Sequence, residues 1–238
     1  MDWNAASCTT AEEFAVGGAE PFACTENETV PDGRLEVADR LKELKLFLGT
    51  TVGYQLNDPL TRAQAAAIIV RLLGEEANAL QENYSNNPFS DVQDKHWAKN
   101  YILYCFENGI TKGTSATTYL PERTISSEEF LALAMRLMGY ESEPSTALSD
   151  CVKTTLFGSD YADRLEGSKE FVRGDAVDIM DKALTTPLNA PEPTLLAEAL
   201  IENEVFTREQ AVEARLLPSE EDNALEQINF IASGKLSQ

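Results

Sequence analysis

The chain has 238 residues, 43% of them hydrophobic, which is enough for one large core or a few small ones. Its formal net charge of −21 would repel a nucleic acid or an anionic membrane surface, so we expect neither as a partner. No run of 18 apolar residues is present that would span a membrane, so no transmembrane segment is expected.

The first predicted segment, residues 1–34, is irregular and lacks the basic and apolar regions of a signal peptide. A cytoplasmic chain and a secreted chain whose signal has been removed both fit this observation. Cys8 and Cys24 flank a loop that contains glycine, and the sequence leaves a disulfide between them and two free thiols equally open. Cys105, in an apolar helical stretch, is predicted to be a buried thiol. The cysteine spacing and the single histidine predict no metal site, and no cofactor is expected.

One helical sequence occurs twice. Residue 35 begins a helical pattern that we expect to end at Gly49, and a second helix follows in LTRAQAAAIIVRLLG, residues 60–74. The same pattern returns as ISSEEFLALAMRLMG at residues 125–139. A repeat of this length predicts a tandem array of helical units.

A weaker third copy lies in KEFVRGDAVDIMDKAL, residues 169–184, and aligns Arg173 with Ser127 of the second copy. Its first helix has to be short or altered within residues 149–167. We therefore divide the chain into predicted repeats and flanks. Unit 1 is residues 35–84, unit 2 is residues 85–145, unit 3 is residues 146–189, and residues 190–238 form a C-terminal helical extension that can cap the array.

The second helices of units 1 and 2 begin with the spacing of a capping box, Thr61 with Gln64 and Ser126 with Glu129. In unit 1 the first helical residue is Arg62, where a cation opposes the helix dipole at a cost of about 0.3–1 kcal/mol. An Arg at this disfavoured position, beside free backbone N–H groups, predicts a local anion site. An ion pair with a carboxylate of the next unit is the alternative that the residues leave open.

Several motifs follow one another in unit 2. They are Phe89-Ser90-Asp91-Val92, His96-Trp97-Ala98, Gly109-Ile110-Thr111-Lys112-Gly113 and Tyr119-Leu120-Pro121. Together with Leu60-Thr61-Arg62-Ala63-Gln64 and Phe171-Val172-Arg173-Gly174-Asp175, they resemble S-layer homology (SLH) repeats. The resemblance covers about residues 35–185. It weakens at Ser127, which replaces the helix-start Arg, and in units 1 and 3, which lack the Trp.

The resemblance implies a mostly α fold, in which helical SLH repeats pack with pseudo-threefold symmetry around a central helical bundle. It implies a secreted, non-catalytic module at the wall or surface of a bacterial cell, which binds an anionic and often pyruvylated wall polysaccharide. No nucleotide-binding, zinc-protease or nucleophile-elbow motif supports an enzyme. A degenerate scaffold that mediates protein–protein assembly or self-association at the cell surface is the alternative.

The resemblance also marks candidate ligand-binding residues, because in that family the helix-start Arg contacts the ligand and the Trp and Asp of the repeat start line the groove. The six candidates are Arg62, Trp97, Asp91, Arg173, Thr61 and Gln64, with Arg173 in a second, poorer site. Whether the first two share one groove stays open.

Structural interpretations stand beside these. Trp97 can equally pack in the core, and Asp91 can cap the helix that follows it through the turn. Arg71 and Arg136 lie in the last turns of their helices, where a cation is favourable, and both are interpreted as structural.

Overall fold

The computed structural model describes residues 33–154, 156–167 and 170–222. Cys8, Cys24 and residues 223–238 of the predicted C-terminal extension lie outside these ranges. The described residues are mostly helical, with only isolated β-bridges, and this confirms the predicted fold class. The helices are α1 (Arg34–Glu43), α2 (Arg62–Leu72), α3 (Glu76–Gln81), α4 (Lys99–Glu107), α5 (Ser127–Leu137), α6 (Ala147–Lys153), α7 (Ser159–Gly167), α8 (Arg173–Leu184), α9 (Leu196–Glu202) and α10 (Arg208–Glu213).

Helix α1 ends at Glu43, well before Gly49, so the predicted end of this helix was wrong. The chain leaves the helix at Lys45, which has a left-handed φ of 60°. The N–H groups of Leu46 and Phe47 then bond back to the last helical turn, and both side chains are buried. Glycine usually takes the left-handed position after a helix, so a Lys there gave no stop signal, and the two apolar residues prolonged the pattern.

Unit 3 differs from units 1 and 2 in its first half. Two short helices, α6 and α7, occupy the region where the sequence required an altered first helix. Helix α8 then begins at Arg173 and aligns with α2 and α5. The extension after unit 3 forms the predicted helical pair, α9 and α10.

Units 1 and 2 meet at the start of α2. The backbone N–H groups of Arg62 and Ala63 each donate to a unit 2 carbonyl at 2.9 Å, from Arg123 and Pro121 respectively. The sequence prediction of free N–H groups at this helix start was therefore wrong, because the neighbouring unit supplies their acceptors. The first N–H groups of a helix have no acceptor within the helix, so the local sequence pattern does not show that a neighbouring unit supplies one.

Units 3 and 1 meet in the same way. The N–H group of Arg173 donates to the carbonyl of Asp58 at 2.9 Å, and that of Gly174 donates to the carbonyl of Leu56 at 2.8 Å. Helix α5 packs against both α2 and α8. These contacts are the ones that three units around an axis require, and the pseudo-threefold arrangement itself stays a prediction.

The C-terminal extension packs on the end of α2, and the last residue of unit 3 packs on the end of α5. Gly74, after α2, has a φ of 76° and lies so close to Val205 that an added Cβ would be 2.3 Å from its Cγ2. After α5, the Asn189 side chain donates to the carbonyl of Gly139 at 2.9 Å. Residues 190–217 therefore belong to the same packed body as the units.

Cys105 and Cys151 are buried free thiols, and burial raises the pKa of each to about 12. The prediction of a buried Cys105 is confirmed. Within residues 33–154, 156–167 and 170–222, no helix has the length and apolar character to cross a membrane, and no cluster of three or more His, Cys, Asp or Glu side chains could hold a metal ion.

Candidate ligand grooves

A cavity of about 500 Å³ lies between the start of α2 and unit 2. We call it groove 1. It is lined by Arg62, Thr111, Lys112, Gly113, Thr114, Leu120, Arg123, Glu129, Leu133, Arg136, Glu143 and Pro144. Four of these residues are cationic and two are carboxylates, although the whole chain carries a net charge of −21. A local excess of positive charge in a cleft concentrates anions.

Arg62 lies at the base of groove 1 with a side chain that is only 5% exposed. Its Nε donates to the carbonyl oxygen of Tyr119 at 2.8 Å, and its Nη1 donates to Glu129 at 3.0 Å. The guanidinium also lies 4.6 Å from the centre of the Tyr119 ring. The ion pair with the next unit is therefore present, and Arg62 presents little of its guanidinium to a ligand.

Two other cations of groove 1 are far more accessible. The side chain of Lys112 is 66% exposed and that of Arg123 is 41% exposed, whereas that of Arg136 is 12% exposed. Arg123 donates to Glu129 at 2.5 Å, so this carboxylate lies between Arg62 and Arg123. At the other end of the groove, Arg136 donates to Glu143 at 2.9 Å and Lys112 contacts the same carboxylate.

Sequence reasoning missed Lys112 and Arg123 and interpreted Arg136 as structural. A signal was present, because unit 1 has Leu48 and Asp58 at the positions of Lys112 and Arg123. Two cations that occur in one copy of the repeat and not in the other, within an acidic chain, indicate that the loops carrying them can bind an anion. Their convergence on one groove depends on how the two loops fold.

A second cavity of about 280 Å³ lies between the start of α8 and unit 1, and we call it groove 2. It is lined by Phe47, Leu48, Gly49, Thr50, Gln64, Ala67, Ile68, Arg71, Trp97 and Arg173. Trp97 is 55% exposed, so it is not a core residue. The structure thus brings Trp97 together with Arg173 and Gln64, and it places Arg62 in groove 1.

Arg173 repeats in groove 2 the contacts of Arg62 in groove 1. Its Nε donates to the carbonyl oxygen of Tyr54 at 2.8 Å, and its guanidinium lies 5.0 Å from the centre of the Phe47 ring. Burial lowers the pKa of Arg173, and the charge of Asp58 partly opposes this effect. No carboxylate in the described ranges lies within ion-pair distance of Arg173, which distinguishes it from Arg62.

The carboxylate of Asp91 holds a loop and does not cap α4. It accepts hydrogen bonds from the backbone N–H groups of Tyr119 at 2.9 Å and Leu120 at 2.7 Å. The residue that bonds at the start of α4 is His96, whose Nδ1 accepts from the N–H of Ala98 at 3.1 Å. Asp91 therefore positions the Tyr119 carbonyl that accepts from Arg62, although Asp91 itself does not line groove 1.

Thr61 and Gln64 form the predicted capping box at the start of α2. The N–H of Gln64 donates to Oγ1 of Thr61 at 3.2 Å, and the N–H of Thr61 donates to Oε1 of Gln64 at 3.1 Å. Ser126 and Glu129 form the second predicted box in α5. Capping thus occupies the Thr61 hydroxyl, while Gln64 also lines groove 2.

A third cavity, of about 270 Å³, lies at the start of α5, where Ser127 replaces the Arg. We call it groove 3. Its charged lining residues are Arg123, Glu128, Glu166 and Glu170. The carboxylates outnumber the cation, so groove 3 disfavours an anion.

Comparison with known proteins identifies one family segment and several relatives. Residues 88–131, within unit 2, match the S-layer homology domain (SLH) family. The chain is 34% identical over 79 residues to the Cellulosome-anchoring protein of Acetivibrio thermocellus, which covers 33% of this chain and 17% of that protein. It is 25% identical over 176 residues to the Middle cell wall protein of Brevibacillus brevis, covering 71% and 16% respectively.

A third relative carries an enzyme name. The chain is 32% identical over 127 residues to the Amylopullulanase of Thermoanaerobacterium thermosulfurigenes, covering 53% of this chain and 6% of that protein. The chain spans less than a fifth of the length of each of these relatives. The matched family segment supports one SLH copy in unit 2, and three tandem copies stay a prediction.

Proposed function

We propose that this chain is a non-catalytic module that attaches a protein to the bacterial cell surface by binding an anionic wall polysaccharide in groove 1. The observation that carries the proposal is the convergence of Arg62, Lys112, Arg123 and Arg136 on one cavity in a strongly acidic chain. The relatives support it, because a Cellulosome-anchoring protein, a Middle cell wall protein and an Amylopullulanase each match this chain over less than a fifth of their own length. A shared attachment module accounts for that distribution.

The roles of the groove 1 residues follow from their exposure. Lys112 and Arg123 supply the direct charge-assisted hydrogen bonds to the polysaccharide, because their side chains reach solvent. Arg62 and Arg136 lie deeper and supply positive potential. Asp91 holds the backbone of Tyr119 and Leu120, and the Tyr119 carbonyl accepts a hydrogen bond from Arg62, so the contribution of Asp91 to binding is indirect.

Groove 2 is proposed as a weaker site on the same polymer. Trp97 offers an exposed ring on which a sugar can stack, and Gln64 and Arg173 border it. Thr61 contributes indirectly, because it caps the start of the helix that carries Gln64. Groove 3 takes no part, because its carboxylates repel the polymer.

The test is co-sedimentation with cell-wall sacculi from Acetivibrio thermocellus and Brevibacillus brevis, before and after acid removal of the attached polymer. We expect the chain to pellet only with polymer-bearing sacculi. The double variant Lys112→Gln with Arg123→Gln should bind at least about tenfold more weakly, since each charge-assisted hydrogen bond contributes about 1.5–3 kcal/mol.

A matched control is the double variant Lys153→Gln with Arg215→Gln. These side chains are 71% and 75% exposed and lie outside the linings of the three grooves, so the charge change is identical and binding should persist. Equal losses in both double variants would assign binding to overall charge and not to groove 1. Absence of pelleting with either preparation, together with self-association in sedimentation velocity, would favour the assembly scaffold.

A further inference from the structure

One carboxylate of groove 1 stands where an anionic group of the ligand would bind. Glu143 bridges two cations, with Oε1 on the ammonium of Lys112 and Oε2 at 2.9 Å from Nη2 of Arg136. Its side chain is 53% exposed at the groove surface. A carboxylate that spans an ammonium and a guanidinium makes the contacts expected of a bound acidic sugar.

The other carboxylate of groove 1 is held quite differently. Glu129 belongs to the capping box of α5, where its Oε2 accepts from the N–H of Ser126 at 3.1 Å, and its side chain is only 21% exposed. Movement of Glu129 would disrupt a helix start and the ion pair with Arg62. Glu129 is therefore a fixed part of the groove wall.

Glu143 can leave its position at little cost. It lies on the loop between α5 and α6, and the side-chain contacts described for it are those with Lys112 and Arg136. Arg136 keeps two further bonds without it, to the carbonyl oxygens of Ser142 at 2.8 Å and Ile110 at 3.1 Å. Displacement of Glu143 thus frees both cations and leaves the guanidinium in place.

We propose that Glu143 is an internal competitor that an anionic group of the wall polymer displaces, and that it sets the affinity and selectivity of groove 1. This inference rests on the proposed function. An anion that contacts only Lys112 and Arg136 replaces the ion pairs of Glu143 with equivalent ones, so its binding is weak. A polymer that also reaches Arg123 makes contacts that Glu143 cannot, so the competitor selects for a ligand with anionic groups along its length.

The experiment measures binding of polymer released by acid from Acetivibrio thermocellus sacculi, by isothermal titration at two salt concentrations. Glu143→Gln should bind roughly two- to fivefold more tightly than the unmodified chain, the range set by exposed ion pairs. Its affinity should also fall more steeply with salt, because the groove carries one more uncompensated cation. Glu141→Gln is the control, since Glu141 is on the same loop and outside the groove lining.

Each outcome decides a different point. If the unmodified chain binds the polymer and Glu143→Gln binds no more tightly than Glu141→Gln, the competitor role is wrong and the proposed function stands. If neither the unmodified chain nor Glu143→Gln binds, the proposed function fails and this inference fails with it. Thermal unfolding of both variants checks that they are folded, as the exposure of Glu143 leads us to expect.

Discussion

Grooves 1 and 2 share one backbone plan and differ in chemistry. In both, an Arg at the first position of a helix donates Nε to a Tyr carbonyl of the next unit at 2.8 Å, Arg62 to Tyr119 and Arg173 to Tyr54. In both, the guanidinium also lies over an aromatic ring. The helix-start Arg is thus first a joint between units, which explains why it occupies a position that the helix dipole disfavours.

The loops around the helix-start Arg determine the difference in chemistry between the two grooves. Unit 1 has Leu48, Asp58 and Gln64 at the positions of Lys112, Arg123 and Glu129, and of these Leu48 and Gln64 line groove 2. Groove 1 consequently holds a network of ion pairs, whereas groove 2 exposes Leu48 and Trp97 beside two arginines. One framework therefore supports an ionic site and an apolar one.

The largest expected effect concerns the two joints. Arg62→Met should lower the free energy of unfolding by about 3 kcal/mol, because it breaks a buried pair with Glu129. Arg173→Met should cost less, about 1–2 kcal/mol, because it removes the hydrogen bond to the Tyr54 carbonyl but breaks no ion pair within the described ranges, and Met keeps the contact with Phe47. Urea unfolding measures both, and a greater loss at Arg173 would contradict the difference we draw between the joints.

A smaller effect is expected from giving groove 2 the cations of groove 1. Leu48→Lys combined with Asp58→Arg should make groove 2 bind the wall polymer about tenfold more tightly, within the range of one charge-assisted hydrogen bond. Both positions are exposed, so the fold should persist. Titration on the background Lys112→Gln with Arg123→Gln isolates groove 2. If binding is not restored on that background, the loops alone do not set the chemistry of the grooves.

The sequence predicted those features that depend on local bonds. The starts of α2 and α5 were correct because Thr61 with Gln64 and Ser126 with Glu129 supply both halves of their own caps. The end of α1 was wrong because Lys45 adopts a conformation that local preference disfavours, and the packing of the residues after it compensates.

The candidate site was less predictable for the same physical reason. Arg62 and its possible ion pair with the next unit could be found from the sequence, but the Tyr119 acceptor lies far along the chain, so the burial of the Arg62 side chain could not. Lys112 and Arg136 come from a turn and a helix end that only tertiary packing brings together around Glu143. A repeat pattern identifies equivalent positions, and differences between the copies are what indicate ligand chemistry.

The smallest expected effect is a difference between the grooves in acid. The hydrogen bond from Lys112 holds the pKa of Glu143 below its usual range, and the charges of Arg136 and Lys112 act in the same direction. A carboxyl group whose pKa is lowered by folding contributes stability above its unfolded-state pKa of about 4.3 and loses that contribution as the pH falls through the folded value. In unit 1, Arg71 aligns with Arg136 and pairs with Glu76 at 2.8 Å, but Leu48 replaces Lys112, so the carboxylate there has no second cation from that position.

We therefore expect the unmodified chain to be a few tenths of a kcal/mol more stable than Glu143→Gln at pH 7, the size typical of exposed ion pairs. This advantage should be lost as the pH falls below the unfolded-state pKa of about 4.3 and then through the lower folded-state pKa of Glu143. Urea unfolding from pH 3 to pH 7 measures the change, with Glu141→Gln as the reference for a carboxylate outside the groove. A difference that stays constant across this range would mean that Glu143 does not form its ion pairs in solution, and groove 1 would then be open to anions without competition.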